Sequence, residues 1–137
     1  MSRLFVEVLV GLALTVCACG PSKPTTVTGT WTGTVSDDAR SGQVTVVFTQ
    51  TDSKVSGTYA VVATTDASDP SGTVAGILSG NSLQFSTNLN FPESCTAVQS
   101  GIATVSEDFS TITGTYAGKH SCSGIYKNGK ITLTRAE

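Results

Sequence analysis

The chain has 137 residues, and only 13% of them are charged, against about 25% in a typical soluble domain. Its 22 Thr and 17 Ser residues fill more than a quarter of the positions. Thr favours half-buried β-strands, and this composition excludes a helical bundle or a coiled coil. The formal net charge of -2 and the pI near 5.2 lack the basic excess that nucleic-acid binding requires, so no nucleic-acid partner is expected.

The N-terminal segment has the pattern of an export signal. An apolar run follows Arg3 and extends to Val16, with Glu7 as its one charged residue. A membrane-spanning helix needs about 20 apolar residues, whereas a secretory signal needs roughly 7 to 15. The run fits the secretory signal. It leads into Val-Cys-Ala-Cys-Gly at positions 16–20, which resembles the lipobox of bacterial lipoproteins.

The lipoprotein resemblance implies cleavage before Cys19 and lipidation of that residue. Residues 1–18 would be the signal peptide, residues 19–25 the lipidated Cys and a short tether, and residues 26–137 the β-barrel domain. Several acyl chains, at about 0.8 kcal/mol per buried methylene, would then anchor the protein to the membrane. In bacterial lipoproteins, an Asp directly after the lipidated Cys favours retention in the inner membrane. Gly20 occupies that position here, so the resemblance favours the outer membrane of a bacterial envelope. A plain secretory signal peptide is the alternative, and Glu7 supports it.

Two cysteines remain if Cys19 is lipidated. Cys95 and Cys122 would then share an oxidising compartment, which predicts a disulfide between them. A zinc site with His120 as third ligand is the alternative, although three ligands at most are available. His120 has no acidic neighbour in the sequence, which predicts a solvated loop residue. The sequence contains no motif for a catalytic site, a metal site or a cofactor, so an enzyme is not expected.

Alternation of period two begins at Thr26 and predicts a series of β-strands. Val27, Trp31 and Val35 fall on one face of the first strand, and threonines fall on the other. Seven further segments repeat this pattern: 43–50, 55–62, 73–79, 82–89, 96–105, 111–118 and 130–135, with an additional short strand over 123–127 as a variant. Tight hairpin turns are predicted at Gly80-Asn81 and at Asn128-Gly129.

Eight or nine short strands without a helix predict an all-β antiparallel sandwich or barrel. An eight-stranded up-and-down β-barrel is favoured over a sandwich because closure removes the exposed edges of long Thr-rich strands. Four segments, 27–31, 55–59, 74–78 and 112–116, share an aliphatic residue, a Gly and a large residue on one face. Glycines recurring inside strands indicate either sharp strand coiling or room for a ligand cavity.

Gly29-Thr30-Trp31 on the first predicted strand resembles the Gly-x-Trp signature of lipocalins. Arg135 on the last strand occupies the place where these calycin barrels supply an arginine. The resemblance implies that the Arg135 guanidinium packs across Trp31, a cation–π contact worth about 0.5 to 2 kcal/mol. The same segment looks like the opening of avidin-type barrels, but Trp31 is the one Trp of the chain, so biotin binding is not expected.

Three functional hypotheses follow. The first is a lipid-anchored barrel that binds a small apolar molecule, lined by Trp31, Tyr59, Phe85 and Tyr116; a cavity of about 300 Å³ or more would favour it. The second is an envelope module without a cavity, which acts through its surface on a protein partner of unknown identity. The third is an inhibitor of a periplasmic lysozyme or protease, because residues 123–127 resemble the Ser-Gly-x-x-Tyr loop of lysozyme inhibitors with one residue fewer.

Overall fold

The computed structural model describes residues 23–64 and 69–137. Eight strands form a closed barrel in which each pairs antiparallel with the next and the last pairs with the first. This confirms the predicted eight-stranded up-and-down barrel. The predicted signal peptide and the lipidation site at Cys19 lie outside the described residues. The strands are β1 Gly29–Ser36, β2 Ser41–Thr51, β3 Lys54–Ala63, β4 Ser71–Ser79, β5 Ser82–Asn90, β6 Thr96–Val105, β7 Thr111–His120 and β8 Gly124–Arg135.

Side chains alternate between the barrel interior and its outer surface along the strands. In β2, Val44 and Val46 are buried while the residues between and beside them face outward. Threonines occupy the outer face of β1, where Thr32 pairs with Thr45 on one side and with Thr134 on the other. Such cross-strand pairs of β-branched residues stabilise neighbouring strands. The Thr-rich composition therefore serves the solvent-facing wall, and the aliphatic and aromatic residues fill the interior.

Glycines inside the strands allow neighbouring backbones to approach closely. A Cβ atom at Gly57 would overlap the carbonyl oxygen of Val47 on β2, and one at Gly33 would overlap that of Thr132 on β8. In both cases the obstacle is the backbone of the adjacent strand, not a ligand or an open space. At these positions the glycines serve the coiling of the barrel wall.

The predicted hairpin at Asn128-Gly129 is wrong. Both residues lie inside β8, which runs without interruption from Gly124 to Arg135. The predicted strands over 123–127 and 130–135 therefore belong to one strand. The other predicted hairpin turn, Gly80-Asn81, is confirmed because β4 ends one residue before it and β5 begins one residue after it.

Asn128 belongs to a β-bulge instead of a turn. Tyr116 of β7 pairs with Gly129, and Gly118 pairs with Tyr126. One residue of β7 therefore lies opposite two residues of β8. Asn128 has a φ of 58°, the left-handed conformation that both a tight hairpin and a bulge of this kind require.

The two ends of the barrel differ, and they are called here the closed end and the open end. The closed end carries the segment before β1, the β6–β7 turn and the end of β8. The open end carries the β1–β2, β3–β4, β5–β6 and β7–β8 connections. Over residues 23–64 and 69–137, no helix is both long and apolar enough to cross a membrane.

Candidate ligand-binding site

Trp31 and Arg135 lie together at the closed end. The Trp31 side chain is fully buried, and its Nε1 donates a hydrogen bond of 2.8 Å to the carbonyl oxygen of Val27. The Arg135 Cζ atom lies 4.5 Å from the centroid of the Trp31 ring. Gly29 has a φ of 138°, and a Cβ atom there would come within 2.9 Å of the guanidinium. The Gly of the Gly-x-Trp sequence therefore leaves room for the arginine.

The Arg135 guanidinium also connects three separate parts of the chain. Its Nε donates to the carbonyl oxygen of Phe109 at 2.9 Å, Nη1 to that of Thr28 at 2.7 Å and Nη2 to that of Thr26 at 2.6 Å. Burial lowers the pKa of Arg135, but the group stays charged because its ordinary pKa is so high. These contacts fasten the N-terminal segment and the β6–β7 turn across the closed end, so this end is sealed.

A cavity of about 50 Å³ lies at the open end. It combines apolar side chains of the strand ends with a few polar groups of the connections. Its lining residues are Val35, Asp37, Ala39, Arg40, Ser41, Tyr59, Val61, Ala63, Pro70, Leu89, Phe91, Gln99, Tyr116, Ser123 and Tyr126. Such a mixture of apolar walls and convergent polar groups is typical of small-molecule sites.

The structure distributes the four predicted lining residues among different places. Tyr59 and Tyr116 line the open-end cavity. Phe85 lines a second, internal cavity of about 20 Å³, which Tyr59 also borders. Trp31 lines neither of these two cavities, because it seals the closed end. The buried Thr87 Oγ1 borders the internal cavity and has no hydrogen-bond partner among the described residues.

A hydrogen-bonded group of three buried side chains lies in the open-end cavity and is called here the polar triad: Tyr59, Gln99 and Tyr126. The Tyr126 hydroxyl donates to Gln99 Oε1 at 2.8 Å. Gln99 Nε2 donates to the Tyr59 hydroxyl across a longer 3.5 Å. Tyr59 and Gln99 are 3% and 4% exposed, so the triad forms polar groups within an otherwise apolar wall.

Burial strengthens the preference of the triad phenols for the protonated form. It raises the pKa of Tyr126 to about 12, and the negative charge of Asp37 contributes to this rise. Burial also raises the pKa of Tyr59 well above its ordinary value, with a smaller contribution from Asp37. Both hydroxyls therefore remain hydrogen-bond donors at physiological pH.

The β1–β2 connection supplies the charged groups of the cavity. Asp37 Oδ1 accepts hydrogen bonds from the amides of Ala39 and Arg40, and Oδ2 accepts one of 2.9 Å from the Tyr116 hydroxyl. The Arg40 Cζ atom lies 4.5 Å from the centroid of the Phe91 ring. Asp37 is thus held by three hydrogen bonds, while the Arg40 guanidinium lies over an aromatic ring, a favourable cation–π arrangement.

Two glycines of the bulged region make room for the tyrosines. A Cβ atom at Gly118 would meet the Tyr126 hydroxyl at 2.5 Å, and one at Gly129 would meet the Tyr116 ring at the same distance. The tyrosine rings lie edge to face with centroids 6.3 Å apart. The β-bulge and its glycines therefore position both tyrosines beside the cavity.

A disulfide joins the connections at the open end. Cys95 at the end of the β5–β6 connection is bonded to Cys122 in the β7–β8 turn. Potential ligand atoms of Cys95, His120 and Cys122 lie within 4.8 Å of one another. The disulfide uses both sulfurs, however, and metals bind the thiolate form. In this state the three residues do not offer a zinc site.

His120 is buried, and the prediction of a solvated loop residue is wrong. It is 5% exposed and is the last residue of β7. Its Nδ1 accepts hydrogen bonds of 3.1 Å from the amides of Cys122 and Ser123, which shapes the β7–β8 turn. The ring packs edge to face on Phe91, and Nε2 has no partner among the described residues. Burial lowers the pKa of His120.

The segment that resembles a lysozyme-inhibitor loop does not form a loop along its whole length. Ser123 ends the turn, Gly124 begins β8 and the Tyr126 side chain is buried in the barrel. The segment therefore contributes to the wall of the cavity, while Ile125 faces outward and is exposed.

Most of the polar residues of the cavity carry no functional signal in the sequence. The sequence pattern places Asp37 and Arg40 in a connecting turn and does not single out Phe91. Gln99 carries a usable signal: the alternation in β6 places it on the inward face between Ala97 and Gly101. A polar amide on an inward face needs hydrogen-bond partners inside the barrel.

Two solved structures with a similar fold are designed barrels. One is a redesigned beta barrel, mFAP1, bound to DFHBI, with a TM-score of 0.57 and 18% identity over 80% of this chain and 94% of that chain. Another is a de novo designed fluorescence-activating beta barrel, with a TM-score of 0.56 and 14% identity over 80% of this chain and 93% of that chain. No protein-family model and no curated protein matches the chain. At these identities the likeness establishes the barrel fold.

Proposed function

We propose that this protein binds a small molecule at the open end of its barrel. The observation that carries the proposal is the polar triad, which is buried in the wall of an apolar-lined cavity. Polar groups in an apolar wall fix the orientation of a ligand. The similar designed barrel mFAP1 is bound to DFHBI, which is consistent with a ligand site in a barrel of this size.

The volume of the cavity limits how a ligand enters. It measures about 50 Å³, whereas a buried cavity that holds benzene measures about 150 Å³ and a drug-sized site about 300 Å³ or more. A ligand therefore inserts one end into the cavity, and the rest of it lies against the rim formed by Arg40 and Phe91. This volume is below the roughly 300 Å³ that would favour a carrier with its ligand in the lumen, so the proposal is restricted to binding at the open end.

Titration of the ¹⁵N-labelled domain with small aromatic compounds tests the proposal. We expect chemical-shift changes centred on the amides of Tyr59, Gln99 and Tyr126. The variant Ala63→Trp fills the mouth of the cavity from β3 and should abolish these changes. The matched variant Ala60→Trp places the same ring on the outer face of β3 and should leave them intact. Changes that survive Ala63→Trp, or that centre on the closed end, would contradict the proposal.

We also propose that the barrel acts at a membrane, anchored through lipidated Cys19. The lipobox-like residues 16–20 support this part. Metabolic labelling with an alkyne analogue of palmitate in a bacterial host should label the wild-type chain and the Cys17→Ser variant but not Cys19→Ser. Equal labelling of both variants, or no labelling of the wild type, would refute the anchor without affecting the ligand site.

A further inference from the structure

The polar triad has more hydrogen-bond donors than it uses. Two phenol hydroxyls and one side-chain amide carry four polar hydrogens, and the triad contains two internal hydrogen bonds. Two hydrogens are therefore left without an acceptor among the described residues. If the amide of Gln99 is turned over, the count is the same: one N–H of Gln99 and one phenol O–H remain.

Spare donors inside an apolar wall require an acceptor. Buried donors are almost always paired, whereas an acceptor with an unused lone pair is tolerated more readily. A ligand that enters the cavity displaces the water that would otherwise accept these hydrogens. It must then present an acceptor of its own, because an unpaired buried donor costs about 1–3 kcal/mol.

The charges around the triad decide between a neutral acceptor and an anion. Asp37 and Arg40 both line the cavity, so it holds one negative and one positive side chain. The Asp37 carboxylate accepts three hydrogen bonds, and the Arg40 guanidinium lies over the Phe91 ring. An anion buried beside Tyr59 would therefore lose its hydration while the Arg40 guanidinium is engaged with Phe91, and burying an anion without a partner of opposite charge is costly.

We infer that the open-end cavity selects a neutral planar compound that enters carbonyl oxygen first. A carbonyl oxygen has two lone pairs, which match the two spare hydrogens of the triad. The carbon skeleton behind it then lies along the apolar wall and reaches the ring of Phe91 at the rim. This inference rests on the proposed function and specifies the chemical class of its ligand.

Three isosteric compounds test the inference: acetophenone, α-methylstyrene and benzoate. They share a phenyl ring with a planar substituent of similar size, and they carry a neutral acceptor, no acceptor and a charged acceptor. Dissociation constants come from ¹⁵N–¹H NMR titrations of the wild-type protein and of variants. α-Methylstyrene is more hydrophobic than acetophenone, and this difference is the same for every variant. The informative quantity is therefore the ratio of the α-methylstyrene dissociation constant to the acetophenone dissociation constant, compared between variant and wild type.

The variant Gln99→Glu removes the spare donors without changing the shape of the side chain. A carboxylate accepts from both phenols and leaves no hydrogen over. We expect the ratio to fall at least about fivefold relative to wild type, as the loss of two net hydrogen bonds requires. Gln84→Glu, the same substitution on the outer face of β5, is the matched control; there the ratio should stay within about twofold.

A second variant covers the case in which Gln99→Glu does not fold. Tyr59→Phe combined with Gln99→Leu leaves one hydroxyl in place of the triad and should also lower the ratio. An unchanged ratio in the triad variants, or tighter binding of benzoate than of acetophenone, overturns the inference while binding itself survives. If none of the three compounds shifts the open-end amides, the proposed function fails together with the inference.

Discussion

At the residue scale, a single arginine closes one end of the barrel. Arg135 covers Trp31 and donates to three carbonyl oxygens from two distant segments. The planar fork of the guanidinium is suited to such a set of acceptors, and an ammonium group cannot reproduce it. The positive charge alone therefore does not account for the role of Arg135 at the closed end. A substitution that conserves the charge tests whether the geometry of the guanidinium is required.

We expect Arg135→Lys to lower the free energy of unfolding by about 1–3 kcal/mol. Lysine can retain one of the three hydrogen bonds, and each of the two that are lost is worth about 0.5–1.5 kcal/mol net at carbonyl oxygens that water can reach. Urea denaturation followed by Trp31 fluorescence measures this loss. Lys130→Arg, on the outer face of the same strand, is the control and should change stability by less than about 0.5 kcal/mol. Equal effects of the two substitutions would show that the fork is not needed.

His120 gives the protein a predictable pH dependence. Burial lowers the pKa of its ring from the ordinary value of 6.5. The unfolded chain then binds a proton at a higher pH than the folded chain does, so the free energy of unfolding falls as the pH drops below about 6.5 and levels off below the folded pKa. His120 is the one His of the chain, so NMR titration of its ring protons gives the folded pKa directly. A midpoint above 6.5 would contradict the prediction.

The His120→Phe variant separates this contribution from that of the carboxylates. Stability curves of wild type and variant should run parallel above pH 7 and converge as the pH falls toward 5. Curves that stay parallel through this range would assign the acid sensitivity to other groups. The variant keeps an aromatic contact with Phe91 but loses the two hydrogen bonds that Nδ1 accepts, so its absolute stability should also be lower.

At the scale of elements, the sequence pattern predicts strands better than it predicts their connections. Alternation identified all eight strands because each has an interior face and a solvent face, as in β6 over Thr96–Val105. It failed at Asn128-Gly129, because a left-handed Asn followed by Gly suits a hairpin turn and a bulge equally well. Which of the two forms depends on the partner strand β7, and a local pattern carries no information about it.

The cavity was less predictable than the strands for a related reason. Tyr59, Gln99 and Tyr126 lie on three strands, and Asp37 lies in a connection. They meet because a closed barrel brings the same end of each strand together. The sequence identified Tyr59 and Tyr116 as inward-facing aromatics. The pairing of a tyrosine with a particular amide depends on strand register, however, and alternation does not distinguish registers that differ by two residues.

The bulge can be tested at Asn128. Its φ of 58° costs an ordinary residue about 1–2 kcal/mol and a glycine almost nothing. We therefore expect Asn128→Ala to destabilise the barrel by about 1 kcal/mol and Asn128→Gly to leave its stability unchanged or slightly higher. Thermal unfolding of the two variants measures the difference. Equal stability of the two variants would mean that residue 128 does not need the left-handed conformation.

At the scale of the whole molecule, closure of the barrel depends on contacts between distant parts of the chain. The first strand pairs with the last, as in the register of Trp31 with Arg135. Such contacts are established only after the chain has lost much of its conformational entropy. The disulfide between Cys95 and Cys122 spans 27 residues and reduces the entropy that the unfolded chain can gain.

On the chain-entropy estimate, closing a loop of this length stabilises the fold by about 3.5 kcal/mol. The variant Cys95→Ala/Cys122→Ala should lose about this much in urea denaturation. Its m-value should rise, because an unfolded chain without the crosslink exposes more surface. The wild-type protein in a thiol reductant is the matched comparison and should agree with the variant. A loss of less than about 1 kcal/mol in the variant would contradict the chain-entropy explanation. The crosslink would then serve the local shape of the β7–β8 turn and would add little to the stability of the fold.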